Sequence, residues 1–404
     1  MEFKSCLVFA IFMFIAIAQA EVFDITKKYG AKPDGEISKA LADAWAAACS
    51  APQPSQLLIP KGRFCLNVIE FNGPCKSPVE VKIDGTLIAP EDPVVIPKGS
   101  QWITFSYITG LKVTGSGTLD GVGGSMSWST DDPKTTVEKG SPLQYVCISL
   151  RNLFFNFLKD SSISGITSKD SKNYHANVVQ CTNVTFENFR VSAPGESPNT
   201  IGIHVGWSKN INIKNCVIGT GDDCISVRDG SLNVHIEGVK CGPGKGISIG
   251  GLGRNTGEKP VAGVFVKNCS FSSTQNGVWI KTWPHSHPLD VSDIHFEDLT
   301  MEKVDNPVFI QQDYCPHIEC KKDSPSMVKI RDVFIKNVKG TSNSPEVVKL
   351  RCSKAGKGCE NVQISDINLK YDGPAGKAIQ ECQHVKPVYT GQLVPPGCAK
   401  SFEV

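Results

Sequence analysis

Three short segments, Asn183-Val184-Thr185-Phe186, Asn210-Ile211-Asn212-Ile213 and Asn233-Val234-His235-Ile236, decide how this chain folds. Each places apolar residues two apart with a polar residue between them, the period of a half-buried strand. Each begins with Asn, a residue that tolerates the left-handed backbone of a tight bend. The pattern runs outward in both directions. Upstream it appears as Val81/Ile83, Leu111/Val113 and Ile163 with Ile166. Downstream it continues as Val264/Val266, Ile294/Phe296, Val333/Ile335 and Val362/Ile364, with Asp332 and Asn361 again leading the last two. From Ile163 onward the repeats fall roughly 20 to 40 residues apart, the period of a solenoid coil. Sandwich strands recur at shorter intervals through hairpins, and Asn-Gly or Asp-Gly hairpin signals are few here. The spacing therefore predicts an all-β fold: one right-handed parallel β-helix domain over 21–404, since each coil of a solenoid needs only its neighbours. Helical periodicity is confined to Ile37–Cys49, and a helix there caps the open end of the stack.

The N-terminus reads as an export signal over residues 1–20. Lys4 precedes the apolar run Leu7–Ile17, and Ala18-Gln19-Ala20 has the small-x-small form of a cleavage site. No later segment is apolar over the length of a membrane span. The expected location is secreted, extracellular, at the cell wall. Cysteine usage agrees: of 16 cysteines, Cys6 lies in the leader, and the remaining fifteen imply several disulfides with at least one unpaired thiol. A zinc site is disfavoured because no CxxC pair has a matching second pair. Asn183-Val184-Thr185 and Asn268-Cys269-Ser270 are glycosylation sequons at Asn183 and Asn268. A net charge of +2 with 20% charged residues shows no basic tail, which argues against nucleic acid as a partner.

The chemistry concentrates between Asn199 and Trp283. Four segments stand about one coil apart: Ser197–His204, Gly219-Thr220-Gly221-Asp222-Asp223-Cys224, Cys241–Gly250, and Asn276–Trp283. Stacked coils bring them to one face. Asp222 and Asp223 are adjacent carboxylates at a glycine-rich bend, and mutual repulsion raises the pKa of one of them. A protonated acid beside an ionised base is what glycosidic cleavage needs, although an Asp-rich turn or calcium loop also carries such a pair. Cys224 and Cys241 are spaced to bridge consecutive coils, closing a loop of about 17 residues worth about 3 kcal/mol. Gly221, Gly242, Gly244 and Gly246 leave room for a bulky ligand to approach the backbone. Cys352–Cys359, Cys382–Cys398 and Cys315–Cys320 are further candidate local bridges.

Together these segments resemble the polygalacturonases, family 28 of the glycoside hydrolases, and in particular the plant, pollen-type exo-acting branch. The resemblance runs from Val22-Phe23-Asp24 and Tyr29-Gly30-Ala31 to Asp313-Tyr314-Cys315-Pro316 and the C-terminal cysteines. It implies a β-helix with a cleft for polygalacturonate (pectin), inverting hydrolysis, no metal and no cofactor, and a monomeric enzyme. Carried over by position, Asp222 is the general acid and Asp223 helps to activate water. Lys281 binds a galacturonate carboxylate, and Asn199, Lys245, Trp279 and Tyr314 line the binding site.

Three positions depart from the family's segments, which read Asn-Thr-Asp-Gly, Gly-His-Gly and Arg-Ile-Lys. Ile201 replaces the third Asp and removes a base worth about 10²- to 10⁴-fold in rate. Lys245 replaces His, and its ammonium is expected to lower the pKa of Asp222. Trp279 replaces Arg, losing a bidentate clamp on a carboxylate while keeping a face for a sugar ring. The expectation is a weak or inactive hydrolase that binds pectin or engages proteins recognising polygalacturonases. An active inverting exopolygalacturonase is the alternative, and a ligand-free wall protein a third reading.

Overall fold

The computed structural model describes residues 20–91, 101–123, 150–316, 320, 324–356, 358–374 and 376–398. The leader expected over 1–20 lies outside the described residues except for Ala20, and so does Cys147. The rest is a right-handed parallel β-helix. Its strands form two long parallel sheets, of 21 and 11 strands. In the 11-stranded sheet, strands follow one another in sequence order from Ile69–Asn72 to Ile379–Gln383, so each coil adds one rung. The segments that open the sequence reading pair in register: Val184 with Ile211, then Val234, then Val264, all fully buried.

The leading Asn and Asp residues do what their side chains suit. Asn183, Asn210, Asn233, Asp332 and Asn361 all adopt positive φ, between 49° and 57°. Their amides also bond from coil to coil: Asn183 Nδ2 donates to Asp160 Oδ1, Asn233 Nδ2 to Asn210 Oδ1 and Asn361 Nδ2 to Asp332 Oδ1, each at 2.7 Å. A short polar side chain thus satisfies itself at a bend where a branched residue would be strained. Asn183 and Asn268 are both exposed.

Ser38–Ser50 is helical and packs on the first coils, with Leu41, Ala44, Trp45 and Ala48 buried. Trp45 meets Phe71 and Phe105, which begins a column of aromatic contacts through Phe155 to Phe186 inside the helix. Disulfides join Cys49–Cys75, Cys224–Cys241, Cys315–Cys320, Cys352–Cys359 and Cys382–Cys398. Among the described residues Cys65, Cys181, Cys216 and Cys269 are free, the last three buried. Burial pushes the thiols of Cys181, Cys216 and Cys269 up, to about 11, 11 and 12, which keeps those three protonated and inert.

Candidate active site

The outward positions of the shorter sheet build the site. Register places His204, Ser226, Ser248, Trp279 and Phe309 in one row across five coils. Bends bring Asn199, Ile201, Asp222, Asp223 and Lys245 beside this row. A cleft of about 550 Å³ is lined by these residues except the buried Ser248, together with Tyr174, Arg228, Arg254, Lys281, Trp283 and Tyr314. The four sequence segments therefore converge, although Ile201 and Lys281 are 80 residues apart in the chain.

The Asp222–Asp223 bend is held by its neighbours. Gly202 N–H donates to Asp223 O at 3.0 Å and Lys245 N–H to Asp222 O at 2.8 Å. Thr200 Oγ accepts the Gly221 N–H at 3.0 Å, and Thr220 Oγ–H donates to Thr200 O. The Cys224–Cys241 bridge ties the bend to the next coil. The glycines serve a different purpose from the one expected. A Cβ on Gly221 would stand 2.0 Å from Ser197 O, and one on Gly246, at φ +90°, 2.1 Å from Asn276 O. They are required because adjacent coils touch there, rather than to admit a ligand.

Charge placement is specific. Lys281 Nζ donates to Asp223 Oδ2 at 2.9 Å, and Ser248 Oγ–H donates to the same oxygen at 2.6 Å. Both side chains of the ion pair are nearly inaccessible, at 7% and 3% exposure. Lys281, expected to face a ligand carboxylate, is thus engaged by the protein's own carboxylate. Asp223 Oδ1 is buried without a partner among the described residues. Lys245 Nζ lies 3.3 Å from Asp222 Oδ1, and that oxygen accepts the Asp223 N–H at 2.8 Å.

Asp222 corrects one expectation. Burial, and then the neighbouring Asp223 charge, push its carboxyl above the ordinary value of 3.8; Lys245 and Lys281 pull the other way and are outweighed. Desolvation of a carboxylate in a closed cleft exceeds the help of a half-exposed ammonium. Asp222 therefore stays suited to hold a proton.

Aromatic side chains form the remaining wall. Trp279 lies parallel to Phe309 with centroids 6.1 Å apart and edge-on to Tyr314 at 5.3 Å; Tyr314 also meets Trp283 at 5.2 Å. Lys281 Nζ sits 4.3 Å from the Trp279 ring centre, within cation–π range. Burial, with the charges of Asp223 and Asp222, pushes the Tyr314 hydroxyl up to about 12, so it remains a donor. Tyr174 stacks on His204 at 4.9 Å. Burial, with Arg228 and Arg151 nearby, drives His204 down to about 3, so it is neutral.

Sequence reading missed His204, Ser248, Tyr174, Arg228 and Phe309. Ser248 lies within a quoted segment, and the two-residue alternation of its strand was signal enough to aim it outward. Phe309 is found only through register with Trp279. Among the described residues no group of three or more His, Cys, Asp or Glu is placed to hold a metal ion.

The described residues thus form a parallel β-helix whose 11-stranded sheet carries a cleft with a carboxylate pair. The chain belongs to glycosyl hydrolases family 28, whose pattern matches residues 49–393. It is 47% identical to a polygalacturonase of Nicotiana tabacum over 95% of this chain and 93% of that one. It is 45% identical to an exopolygalacturonase of Platanus acerifolia over 94% and 98%. An exopolygalacturonase of Thermotoga maritima shares the fold at a TM-score of 0.69 and 18% identity, over 87% of this chain and 89% of that one. So does an endo-xylogalacturonan hydrolase of Aspergillus tubingensis, at 0.72 and 22%, over 90% and 98%.

Proposed function

We propose that this chain binds pectin in the Asp222–Asp223 cleft and hydrolyses it slowly, as an inverting glycosidase with its acid retained and its water activation impaired. The observation that carries the reading is the asymmetry around the carboxylate pair. On one side, Asp222 is held above the usual carboxylate range, as a proton donor to a leaving glycosidic oxygen requires. On the other, Asp223 is tied to Lys281 and Ser248, and the neighbouring bend offers Ile201, which accepts no proton. Inversion needs a base to deprotonate water on the far side of the sugar, and Asp223 alone is left for it. Asn199, Lys245, Trp279 and Tyr314 line the binding surface.

The retained acid also favours a second reading, a fully active inverting exopolygalacturonase in which Asp223 suffices. Reducing-end release from polygalacturonate by purified protein, beside calorimetric binding of oligogalacturonides, separates the two. Binding with turnover orders of magnitude below that of an intact relative, abolished by Asp222→Asn, supports the first. Turnover comparable to the relative overturns it. Absence of both binding and turnover would redirect attention to proteins that recognise the polygalacturonase fold.

The leader over 1–20 supports export to the cell wall of a monomeric single domain, 21–404, with Asn183 and Asn268 as glycan sites.

A further inference from the structure

The cleft holds four cations and two carboxylates, and its inner cations are not free. Lys281 is engaged by Asp223 at 2.9 Å and Lys245 by Asp222 at 3.3 Å. The wall beside Lys281 is aromatic, made of Trp279, Phe309 and Tyr314. Trp279 lines the cleft, is 8% exposed, and its Nε1–H is buried with no acceptor among the described residues. A buried donor of this kind calls for an acceptor.

A free galacturonate carboxylate against this wall would meet Lys281 and Lys245 already engaged by carboxylates, and would approach Asp222 and Asp223. Burying an uncompensated charge is unfavourable. A methyl ester changes the balance at every point. It removes the charge, keeps a carbonyl oxygen to accept from Trp279 Nε1–H, and sets a methyl group against the Trp279 and Phe309 rings. Arg228 and Arg254 also line the cleft, Arg228 with Nη1 at 3.2 Å from Gly250 O and Arg254 over the Trp283 ring at 4.8 Å. Neither is paired with a carboxylate among the described residues, so they can receive free carboxylates elsewhere along the same strand.

We propose that the pocket bounded by Trp279, Phe309 and Tyr314 selects a galacturonosyl unit whose carboxyl is methyl-esterified, so that the preferred ligand is partly esterified pectin rather than polygalacturonate. The inference rests on the pectin reading above and narrows its substrate.

Calorimetric titration of the full-length protein with three oligomers of equal length tests it: de-esterified galacturonan, methyl-esterified galacturonan and neutral galactan. The esterified oligomer should bind about tenfold tighter than the free acid, because it avoids burying an uncompensated charge. Trp279→Phe keeps the ring, loses the N–H, and should weaken ester binding several-fold with free-acid binding unchanged. Trp279→Arg should invert the preference. Should that variant fail to fold, the wild-type ranking and Trp279→Phe still decide. Tighter binding of the free acid overturns the proposal, and so does galactan binding as tightly as the ester, since neutrality alone would then suffice. Binding of none of the three overturns the pectin reading itself, which distinguishes the two failures.

Discussion

Lys281 and Asp223, 58 residues apart in the chain, meet as a buried ion pair with Nζ 2.9 Å from Oδ2. Removing one member of such a pair strands the other. Lys281→Met should therefore destabilise the protein by about 3–5 kcal/mol, measured by urea unfolding. The double variant Lys281→Met/Asp223→Asn should recover most of that loss, because no uncompensated charge remains. Equal stability of the single variant and wild type would refute the pairing.

On the proposed mechanism, Asp222 sets the pH response of hydrolysis. Its carboxyl pKa is raised by burial and by Asp223, so it is protonated below that pKa and loses its proton as pH rises through it. Activity should fall on that basic limb. Lys245 acts in the opposite direction, so Lys245→Ala should move the limb to higher pH. A profile of initial rates against pH checks the sign, and a shift to lower pH would contradict it.

His175 and His204 are both held neutral, near 3, chiefly by burial. Between about 6.5 and 3 the unfolded chain binds more protons than the folded one at these two positions. Stability should then fall as pH drops through that window, by about 1.4 kcal/mol per pH unit for each histidine. His204→Gln should reduce the slope of unfolding free energy against pH. An unchanged slope would mean that the imidazole does not titrate as its burial requires.

The Cys224–Cys241 bridge closes 17 residues next to the carboxylate pair. Replacing both cysteines by Ala should cost about 3 kcal/mol, seen as a lower melting temperature. It should also weaken oligogalacturonide binding by loosening the Asp222–Asp223 bend. A variant that melts lower but binds as before would limit the bridge to stability.

On the proposed reading, water activation is the impaired step. The triple substitution Ile201→Asp, Lys245→His and Trp279→Arg should raise reducing-sugar release by about 10²-fold or more. Ile201→Asp alone should supply the larger share, since it restores a base. No gain from the triple variant would place the defect elsewhere in the cleft.

Much of this was readable before any coordinates. Alternation at Val184/Phe186 and Ile211/Ile213 gave strands because a two-residue period has one meaning in a half-buried sheet. Asn183, Asn210 and Asn233 gave the bends because few side chains tolerate positive φ. The expected helix Ile37–Cys49 differs from Ser38–Ser50 by one residue at each end, the usual fraying of such boundaries. The glycines were misread because a requirement for no side chain looks the same in sequence whether a ligand or a neighbouring coil stands there.

Sequence by itself determined the coil repeat, the capping helix and the identity of the residues gathered between Asn199 and Trp283. Those depend on local backbone preference and on which side of a strand is apolar. Tertiary structure alone decided that Lys281 meets Asp223 and that Trp279 sits against Phe309 and Tyr314, whereas Lys245 beside Asp222 was already expected. Such pairings follow from the register of stacked coils, and their strength from burial that weakens solvent screening. Neither quantity is written in the residues on either side of a lysine.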